Sequence, residues 1–427
     1  MEFITSLKAA FMECISGALK EGEVQAESLS AMEVEVKHML HEVGGEVLRQ
    51  WLEAQDGKYP ADEQGCACGQ KAHYVRRREG VSLTLLGRVR YRRAYYVCDA
   101  CHTGQYPLDE RLGIEPGQMS AEVVKVAALL GVEDAFGTSR ETLAQTTLLE
   151  LSPNSIRQAC HQIGEQVEAR EAEALAQSQA LSAQLTQRRQ GESTQRVYAS
   201  MDGFLVNFED GWHEMKAGAF WTTDAQGRAQ AIEYYADTAA ADDFSDLVWA
   251  RAFARGANLA HELVFIADGA HWIWRIVQAH FPQAIQIVDW YHASSYLGKI
   301  AQAAFGDHTP QAKAWLTAAQ TDLYEGHLGS ISLACRALAE QAPKAVADAR
   351  SYFAVNRTRL RYAKFRSMGL QIGSGSMESG CKQVGLERLK IAGAQWSVEG
   401  ARKLAKARAA FLSHEVNLAS YSLPRVA

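Results

Sequence analysis

The chain has 427 residues, enough for more than one domain with its own hydrophobic core. Its apolar fraction of 47% and charged fraction of 22% are typical of a globular protein. No apolar run reaches the roughly 18 residues that span a bilayer, and the N-terminus lacks a cationic leader with a small-residue cleavage site. These features argue against a membrane protein and predict a cytoplasmic protein with no membrane partner.

The net charge of −6 conceals an uneven charge distribution. The first 65 residues are acidic, whereas residues 71–96 contain eight lysines and arginines and one acid, Glu79. A second basic zone extends from Arg357 to Arg408. Local basic zones in an acidic protein predict contact with a polyanion, and the alternative is a solvated charged surface.

Residues 1–60 are predicted to form a helical segment. Apolar residues such as Met39, Val43 and Val47 recur there at helical spacing, and the turn signal Pro60 closes the segment.

Residues 61–112 contain four cysteines arranged as C-x-C and C-x-x-C pairs about 30 residues apart. Reduced thiols in this arrangement predict a zinc-ribbon-like module with one structural Zn²⁺. Because C-x-C is the less common spacing, His73 and His102 remain alternative ligands. The predicted ligands are Cys66, Cys68, Cys98 and Cys101.

An arginine-rich run lies between the two cysteine pairs. In "RVRYRRAYYV" arginines alternate with apolar residues, which predicts a strand with one basic face. Such a face suits phosphate contacts, which anchor a protein without reading base sequence. The arginines predicted to contact DNA are Arg76, Arg77, Arg78, Arg90, Arg92 and Arg93.

Three short helical patterns in residues 113–166 predict a helix-turn-helix. Asn154, Arg157 and Gln158 lie on early turns of the third helix and are candidates for base contacts in the major groove. A purely structural helical bundle is the alternative. Residues 167–195, rich in Ala, Gln and Glu, are predicted to form a helical linker.

From Arg196 the pattern changes to α/β. Three successive strand patterns precede two βαβ-type units, which predicts a mixed sheet with helices on both faces in residues 196–427. Residues 291 to about 365 are predicted to form a helical insertion in this domain.

Three acids stand at positions suited to hold metal ions. Asp202 lies in the first strand, Asp268 ends the apolar strand "LVFIAD", and Glu378 follows a glycine-rich turn. Two-metal phosphodiester chemistry requires carboxylates mounted rigidly on neighbouring elements. Each acid also has an ordinary structural explanation, since Asp-Gly favours turns and a glutamate early in a helix favours the helix dipole.

Several motifs together resemble those of a known family. "SMDGFLV", "IADGAHWIW", "VDWYHASSYL", "GSGSMESGCK" and "RLKIAGAQW" resemble the DDE transposases of bacterial insertion sequences, specifically the Kra-type group related to Mutator-like transposases. The resemblance implies an RNase H-like catalytic core with a helical insertion. It also implies that Asp202, Asp268 and Glu378 hold two Mg²⁺ ions, with Mn²⁺ as a substitute.

Further residues are predicted near this site. Asp289 and His292 match a D-x-x-H pattern of related transposases, although Asp289 could simply cap a helix. Lys382 shares a helix face with Glu378 and could neutralise a phosphate or form a surface ion pair. The second basic zone supplies further predicted DNA contacts at Arg357, Arg359, Arg361, Arg388 and Lys390.

The leading functional expectation is a transposase that binds its terminal inverted repeats and then cleaves and transfers DNA strands. Its partners would be double-stranded DNA at the element ends and the target, with at least a dimer assembled on DNA in the nucleoid. Two alternatives remain: a zinc-ribbon and helix-turn-helix regulator with an inactive RNase H-like core, and an RNase H-like nuclease or resolvase without strand transfer.

Overall fold

The computed structural model describes Met12, Gly380 and residues 28–57, 62–115, 117–185, 196–373 and 382–416. The predicted ligand Glu378 and the side chain of Lys382 lie outside this description. Contacts divide the chain into two compact units. One comprises Met1–Val123 with Leu143–Glu150, and the other comprises Val124–Thr142 with Leu151–Ala427.

The first unit combines a long helix with an antiparallel sheet. Helix α1 begins where the Ser28 hydroxyl accepts a hydrogen bond from the Ala31 N–H, 3.2 Å away. The four strands are ordered β1-β2-β3-β4 and are followed by a short helix. The elements are α1 (Leu29–Asp56), β1 (Glu63–Gly65), β2 (Lys71–Thr84), β3 (Gly87–Cys98), β4 (Gly104–Gln105) and α2 (Pro107–Leu112).

Strand β3 has the predicted alternation. Its arginines Arg88, Arg90 and Arg92 are exposed, whereas Val89 and Tyr91 between them are buried. The C-terminal turn of α1 holds the strand edge, because the Asp56 carboxylate accepts hydrogen bonds from the Ala94 N–H at 3.0 and 3.1 Å. The basic face is thus a surface feature mounted on a fixed strand.

Three helices follow in the region predicted to be a helix-turn-helix. They are α3 (Ala121–Glu133), α4 (Phe136–Thr147) and α5 (Pro153–Leu185). Cys160 Sγ of α5 lies 3.6 Å from the Ala128 carbonyl of α3, and the Ser139 hydroxyl of α4 donates to the Leu130 carbonyl at 2.9 Å. Gly131 permits this close packing, since a Cβ there would stand 2.6 Å from Cys160 Sγ.

The second unit contains a five-stranded mixed sheet, as predicted. Its order is β7-β6-β5-β8-β9, with antiparallel pairing across β7-β6-β5 and parallel pairing across β5-β8-β9. Strand β8 is apolar after Glu262 and buried over its last four residues, as expected of a strand covered on both faces. The strands are β5 (Arg196–Phe208), β6 (Gly211–Thr223), β7 (Ala229–Asp237), β8 (Glu262–Ala267) and β9 (Ile285–Val288).

Helices occupy the segment predicted to be a helical insertion, about 291–365. None of the helices among the described residues is both long and apolar enough to cross a membrane. The helices that follow β7 are α6 (Ala241–Arg255), α7 (His271–His280), α8 (Trp290–Phe305), α9 (Pro310–Tyr324), α10 (Leu328–Ala337), α11 (Pro343–Val355), α12 (Tyr362–Ser367), α13 (Glu387–Leu389) and α14 (Val398–Leu412).

Helix α5 is continuous through residues where the sequence suggests a change from a DNA-binding helix to a linker. It packs along α14, so closely that a Cβ at Gly164 would stand 2.4 Å from the Lys403 carbonyl. Ion pairs join the two helices at three successive levels: Glu165 with Lys403, Glu168 with Arg402, and Glu171 with Lys406. These pairs hold the second half of α5 against α14 within the second unit.

Candidate functional site

Asp202 lies in β5, and Asp268 directly follows β8, the neighbouring parallel strand of the mixed sheet. The pairing of β5 with the parallel strand β8 ends at Ala199 and Phe265. Counting three residues onward on each strand brings Asp202 level with Asp268. Residues at one level of adjacent strands project to the same face of a sheet. Continued beyond its last pair, this register would align the first two acids of the predicted site.

Asp289 falls at the same level on the next strand. Strand β9 pairs with β8 up to Val288 and Ala267, and the Asp289 N–H donates to the Ala267 carbonyl at 2.8 Å. The Asp289 side chain also caps α8 by accepting a hydrogen bond from the His292 N–H at 2.8 Å. Asp289 is therefore a helix cap, which was its structural alternative. Its position continues the pairing of β9 with β8, but within the described residues Asp202, Asp268 and Asp289 do not come together as a metal-ligand cluster.

The turn after Asp268 depends on glycine. Gly269 has a φ of +101°, a conformation that L side chains rarely adopt. Its Cβ position would also lie 2.9 Å from the Tyr352 ring. The Asp268 carboxylate accepts a hydrogen bond from the Ala270 N–H at 2.9 Å, which orients it within the turn.

Two tyrosines of the helical segment bind the ends of the parallel strands. The Tyr352 hydroxyl of α11 donates to the backbone carbonyl of Asp268 at 2.7 Å. The Tyr362 hydroxyl of α12 donates to the backbone carbonyl of Val288 at 3.0 Å, one residue before Asp289. Neither tyrosine is singled out by a local sequence motif, because the contacts join residues more than 70 positions apart.

Aromatic side chains pack around the Tyr352 ring. The Tyr296 and Tyr352 rings stack with centroids 4.1 Å apart, and the His292 ring lies 5.8 Å from each of them. Burial, followed by the Tyr296 hydroxyl and the Asp268 and Asp289 carboxylates, raises the pKa of Tyr352 well above its usual value. The hydroxyl therefore stays protonated and donates its hydrogen bond to the Asp268 carbonyl.

A cavity of about 840 Å³ opens beside Asp268. Its walls come from the turn after β8 and from facing sides of α8 and α11, including His292 and Tyr352. Sequence reasoning placed His292 near the site, and the structure puts it in the wall of the same cavity as Asp268. The sequence did not single out four other residues that line the cavity, Tyr296, Lys299, Lys344 and Asp348.

The described residues on either side of Glu378 approach the sheet at different strands. The Ile372 carbonyl accepts a hydrogen bond from the Trp290 N–H at 2.9 Å, at the start of α8. After the segment 374–379, Gly380 lies against Tyr234 of β7, since a Cβ at Gly380 would stand 2.4 Å from that ring. Glu378 and its predicted role as a third ligand stay a prediction from the sequence.

The cysteine cluster assembles from all four predicted residues. Cys66 and Cys101 Sγ atoms lie 3.5 Å apart, and Cys68 and Cys98 Sγ atoms lie 3.6 Å apart. All four sulfur atoms lie within 4.8 Å of one another. Four thiolates around a tetrahedral Zn²⁺ stand about 3.8 Å apart, because Zn–S bonds are about 2.3 Å long. The cluster is therefore compatible with structural zinc.

Tight turns bring the two cysteine pairs together. The Cys66 N–H donates to the Gln70 carbonyl at 2.8 Å, and the Cys98 N–H donates to the Thr103 carbonyl at 3.1 Å. Hydrogen bonding to Thr103 lowers the pKa of Cys101 to about 6. A backbone hydrogen bond with Gln70 lowers the pKa of Cys68, but hydrogen bonds with the other three thiols outweigh it and raise that pKa to about 12. Within the described residues, these cysteines are the only group of three or more metal-ligand side chains this close together, and neither His73 nor His102 joins them.

Most predicted DNA contacts of the hairpin β2-β3 are accessible. Arg76, Arg77, Arg90 and Arg92 are exposed, and Arg77 also lies 3.3 Å from the Asp56 carboxylate. Arg78 is half-buried, with its guanidinium 3.7 Å above the Tyr95 ring. The exposed arginines form a basic surface that a phosphate backbone could reach.

The structure corrects the prediction for Arg93, one of the arginines predicted to contact DNA. Only 2% of Arg93 is exposed, and its guanidinium forms an ion pair with the buried Asp109 carboxylate. The ring of Tyr106 lies 4.0 Å from the guanidinium carbon. Arg93 therefore stabilises the module from within, and the prediction that it contacts DNA is wrong for this conformation.

Arg388 is the second correction. It is also 2% exposed, and its Nε donates to the Gly131 carbonyl at 2.9 Å, at the C-terminal end of α3. The rings of Phe136 and Trp396 flank the guanidinium at 4.6 and 5.2 Å. A cation at a helix C-terminus satisfies free carbonyls and the helix dipole. Arg388 is a buried helix cap in this structure and does not face bound DNA.

The other cations of the second basic zone are more accessible. Arg357, Arg361 and Lys390 are exposed, whereas Arg359 is half-buried and donates to Gln286 at 2.8 Å. Lys390 Nζ lies 5.9 Å from the ring of Trp212, which is 59% exposed. This pairing of a cation with an exposed indole is a second surface suited to nucleic acid.

The residues of α5 that are candidates for base contacts share an exposed face. Asn154, Arg157 and Gln158 are exposed, and the Asn154 side chain accepts hydrogen bonds from the Arg157 guanidinium at 2.7 and 3.2 Å. Ile156 and Cys160 on the opposite face are buried. This division leaves the three polar side chains free of the helical core, as a major-groove helix requires.

Comparison with known proteins identifies the family of this chain. A search of the curated proteins found no match. The profile of the uncharacterised protein family UPF0236 matches residues 25–418, which include both units. The chain belongs to the UPF0236 family.

Proposed function

We propose that this protein is a DNA transposase that cleaves and transfers strands at the ends of its own insertion sequence. The observation that supports this most is the parallel register of β5 and β8, which, continued beyond Ala199 and Phe265, would bring Asp202 level with Asp268. Open α/β sheets place their reaction sites at the carboxyl ends of such strands. The strand order, with three antiparallel strands and then two parallel ones, supports an RNase H-like core.

The chemistry of the acids suits hard divalent cations. Mg²⁺ and Mn²⁺ prefer carboxylate oxygens, and Asp202, Asp268 and, from its sequence motif, Glu378 would hold them. When bound, two such ions neutralise the scissile phosphate and activate the attacking water or 3′-hydroxyl. The Gly269 turn and the Tyr352 hydroxyl fix the position of Asp268 for this role.

Other parts of the chain would bind and position the DNA. The exposed arginines of β3 would bind phosphates, and the exposed face of α5 would read bases at the terminal inverted repeats. The ion pairs between α5 and α14 would fix the position of α5 within the unit that contains the acids. Joining two DNA ends requires at least two protein copies, so we propose a dimer or larger assembly on DNA.

The experiment is cleavage of a supercoiled plasmid that contains the element ends, with purified protein in Mg²⁺ or in EDTA. We expect Mg²⁺-dependent breaks at the ends that leave 3′-hydroxyl groups, followed by joining to target DNA. The alternative function, a DNA-binding regulator with an inactive core, predicts specific binding to the ends while the plasmid stays supercoiled under both conditions. Breaks without joining would indicate a nuclease or resolvase.

A further inference from the structure

A groove leads away from Asp268 between α8 and α11. One side consists of His292, Tyr296 and Lys299, which share a face of α8 by their spacing of four and three residues. The other side contains Lys344 and Tyr352 on the facing side of α11. The stacked Tyr296 and Tyr352 rings join the two helices at the floor.

We propose that this groove binds a short single-stranded segment of DNA next to the scissile phosphate. The inference rests on the proposed function, because that function places the phosphate at Asp202 and Asp268. Proteins that hold single strands combine cations for the backbone with aromatic rings for the bases. The groove has both, since Lys299 Nζ lies 4.8 Å from the Tyr296 ring centroid and Lys344 lies farther along α11. Asp348, between Lys344 and Tyr352 on α11, also lines it, so the two lysines bind phosphates beside one acid.

The dimensions favour a single strand over a duplex. The groove is a cavity of about 840 Å³ between two helices that contact each other, so a duplex could not enter. Tyr352 and Lys344 are eight residues apart on α11, which corresponds to about 12 Å along the helix. At about 3.4 Å per stacked nucleotide, that distance spans roughly three to four nucleotides.

The groove is also coupled to the acid. Tyr352 lines the groove and donates its hydroxyl to the Asp268 carbonyl. A strand that fills the groove would press on the stacked Tyr296 and Tyr352 rings, and the hydrogen bond connects those rings to the Asp268 turn. Binding of the strand and placement of Asp268 would therefore be linked.

The test compares two DNA ligands in EDTA by fluorescence anisotropy: a blunt duplex, and the same duplex with a four-nucleotide single-stranded extension. We expect the extension to tighten binding to the wild type by about tenfold or more, because each stacked base contributes substantially. Lys299→Ala and Tyr296→Leu should lose most of this gain. Tyr296→Phe, which keeps the ring, should retain it.

Lys313→Ala is the matched control, since Lys313 is an exposed lysine on α9 that does not line the groove. It should keep the full gain from the extension. Photo-crosslinking with 5-iodouracil in the extension should label peptides within residues 290–305 or 343–355. An extension that gives no gain, a full gain in a Lys299→Ala Lys344→Ala double variant, or crosslinks confined to other segments would overturn the proposal.

These measurements use no divalent metal, so they are independent of catalysis. A protein that cleaves plasmid ends but gains nothing from the extension would contradict the groove proposal alone. A protein that gains from the extension but never cleaves in Mg²⁺ would contradict the proposed function alone.

Discussion

The hydroxyl of Tyr352 donates a hydrogen bond to the backbone carbonyl of Asp268 at 2.7 Å, across 84 residues of sequence. This contact joins a helix of the inserted segment to the turn that presents a predicted metal ligand. It suggests that the helical segment has a role in positioning the acid as well as a structural one. The first prediction addresses this role.

Tyr352→Phe removes only the hydroxyl and keeps the ring stacked on Tyr296. We expect a free energy of unfolding lower by about 1 kcal/mol and a cleavage rate at saturating DNA lower by about tenfold, because small displacements of reacting groups are costly. Tyr91→Phe is the control, since it removes a comparable buried hydroxyl bond, to Asp109 at 2.7 Å. A similar fall in cleavage rate for both variants would show that Tyr352 acts only through stability.

Replacing a cysteine of the cluster should remove zinc. Cys98→Ser is expected to reduce bound zinc from one ion per chain to a small fraction, since serine replaces a thiolate ligand. Cys160→Ser should retain one zinc, because Cys160 is buried against the Ala128 carbonyl and belongs to no cluster. Elemental analysis of both purified variants makes the comparison, and equal zinc contents would refute the four-cysteine site.

Two arginines of β3 should behave in opposite ways. Arg90 is exposed and lies 3.5 Å from Glu79, so Arg90→Ala should leave stability nearly unchanged and weaken DNA binding. The slope of log K against log salt should fall by about one, as expected for one lost phosphate contact. Salt titrations of DNA affinity measure this slope, and an unchanged slope would remove Arg90 from the DNA-binding surface.

Arg93→Ala should instead destabilise the protein by about 3–5 kcal/mol, because it leaves the buried Asp109 carboxylate without its partner. Chemical denaturation followed by circular dichroism measures this loss. A variant as stable as the wild type would mean that the buried ion pair is unimportant, and the assignment of Arg93 to the interior would then fail.

The ion pairs between α5 and α14 should differ in strength. Lys406 is buried and pairs with both Glu171 and Asp237, so Lys406→Met leaves Asp237 without this cation and leaves Glu171 with Arg251 alone. We expect a loss of about 3–5 kcal/mol in the free energy of unfolding. Lys403→Met is the control, because its partners Glu165 and Glu399 are mostly exposed and the loss should be about 1 kcal/mol or less. Equal losses of unfolding free energy in the two variants would contradict a stabilising role for the buried Lys406 ion pairs.

Features set by nearby residues could be predicted from the sequence. The cysteine pairs, the alternation of β3 and the polar face at the start of α5 depend on local spacing, and the structure has all three. The mixed sheet was also predictable, because strand patterns joined first by short turns and then by helices permit few topologies.

Features set by distant contacts could not be predicted. The basic run around Arg93 gives no sign of Asp109, and nothing near Arg388 indicates that it caps α3 through the Gly131 carbonyl. The continuity of α5 likewise depends on cations of α14 that lie more than 200 residues later. Charge alone does not distinguish a DNA contact from an interior ion pair.

Cleavage by variants of the aligned acids tests the central claim most directly. Asp202→Asn and Asp268→Asn should each reduce Mg²⁺-dependent cleavage of the plasmid ends by at least about a hundredfold, because metal ions contribute several kcal/mol to such reactions. Glu378→Gln should do the same. Asp210→Asn, at an exposed acid after β5, should cleave like the wild type. Full activity in either the Asp202 or the Asp268 variant would contradict the proposed site.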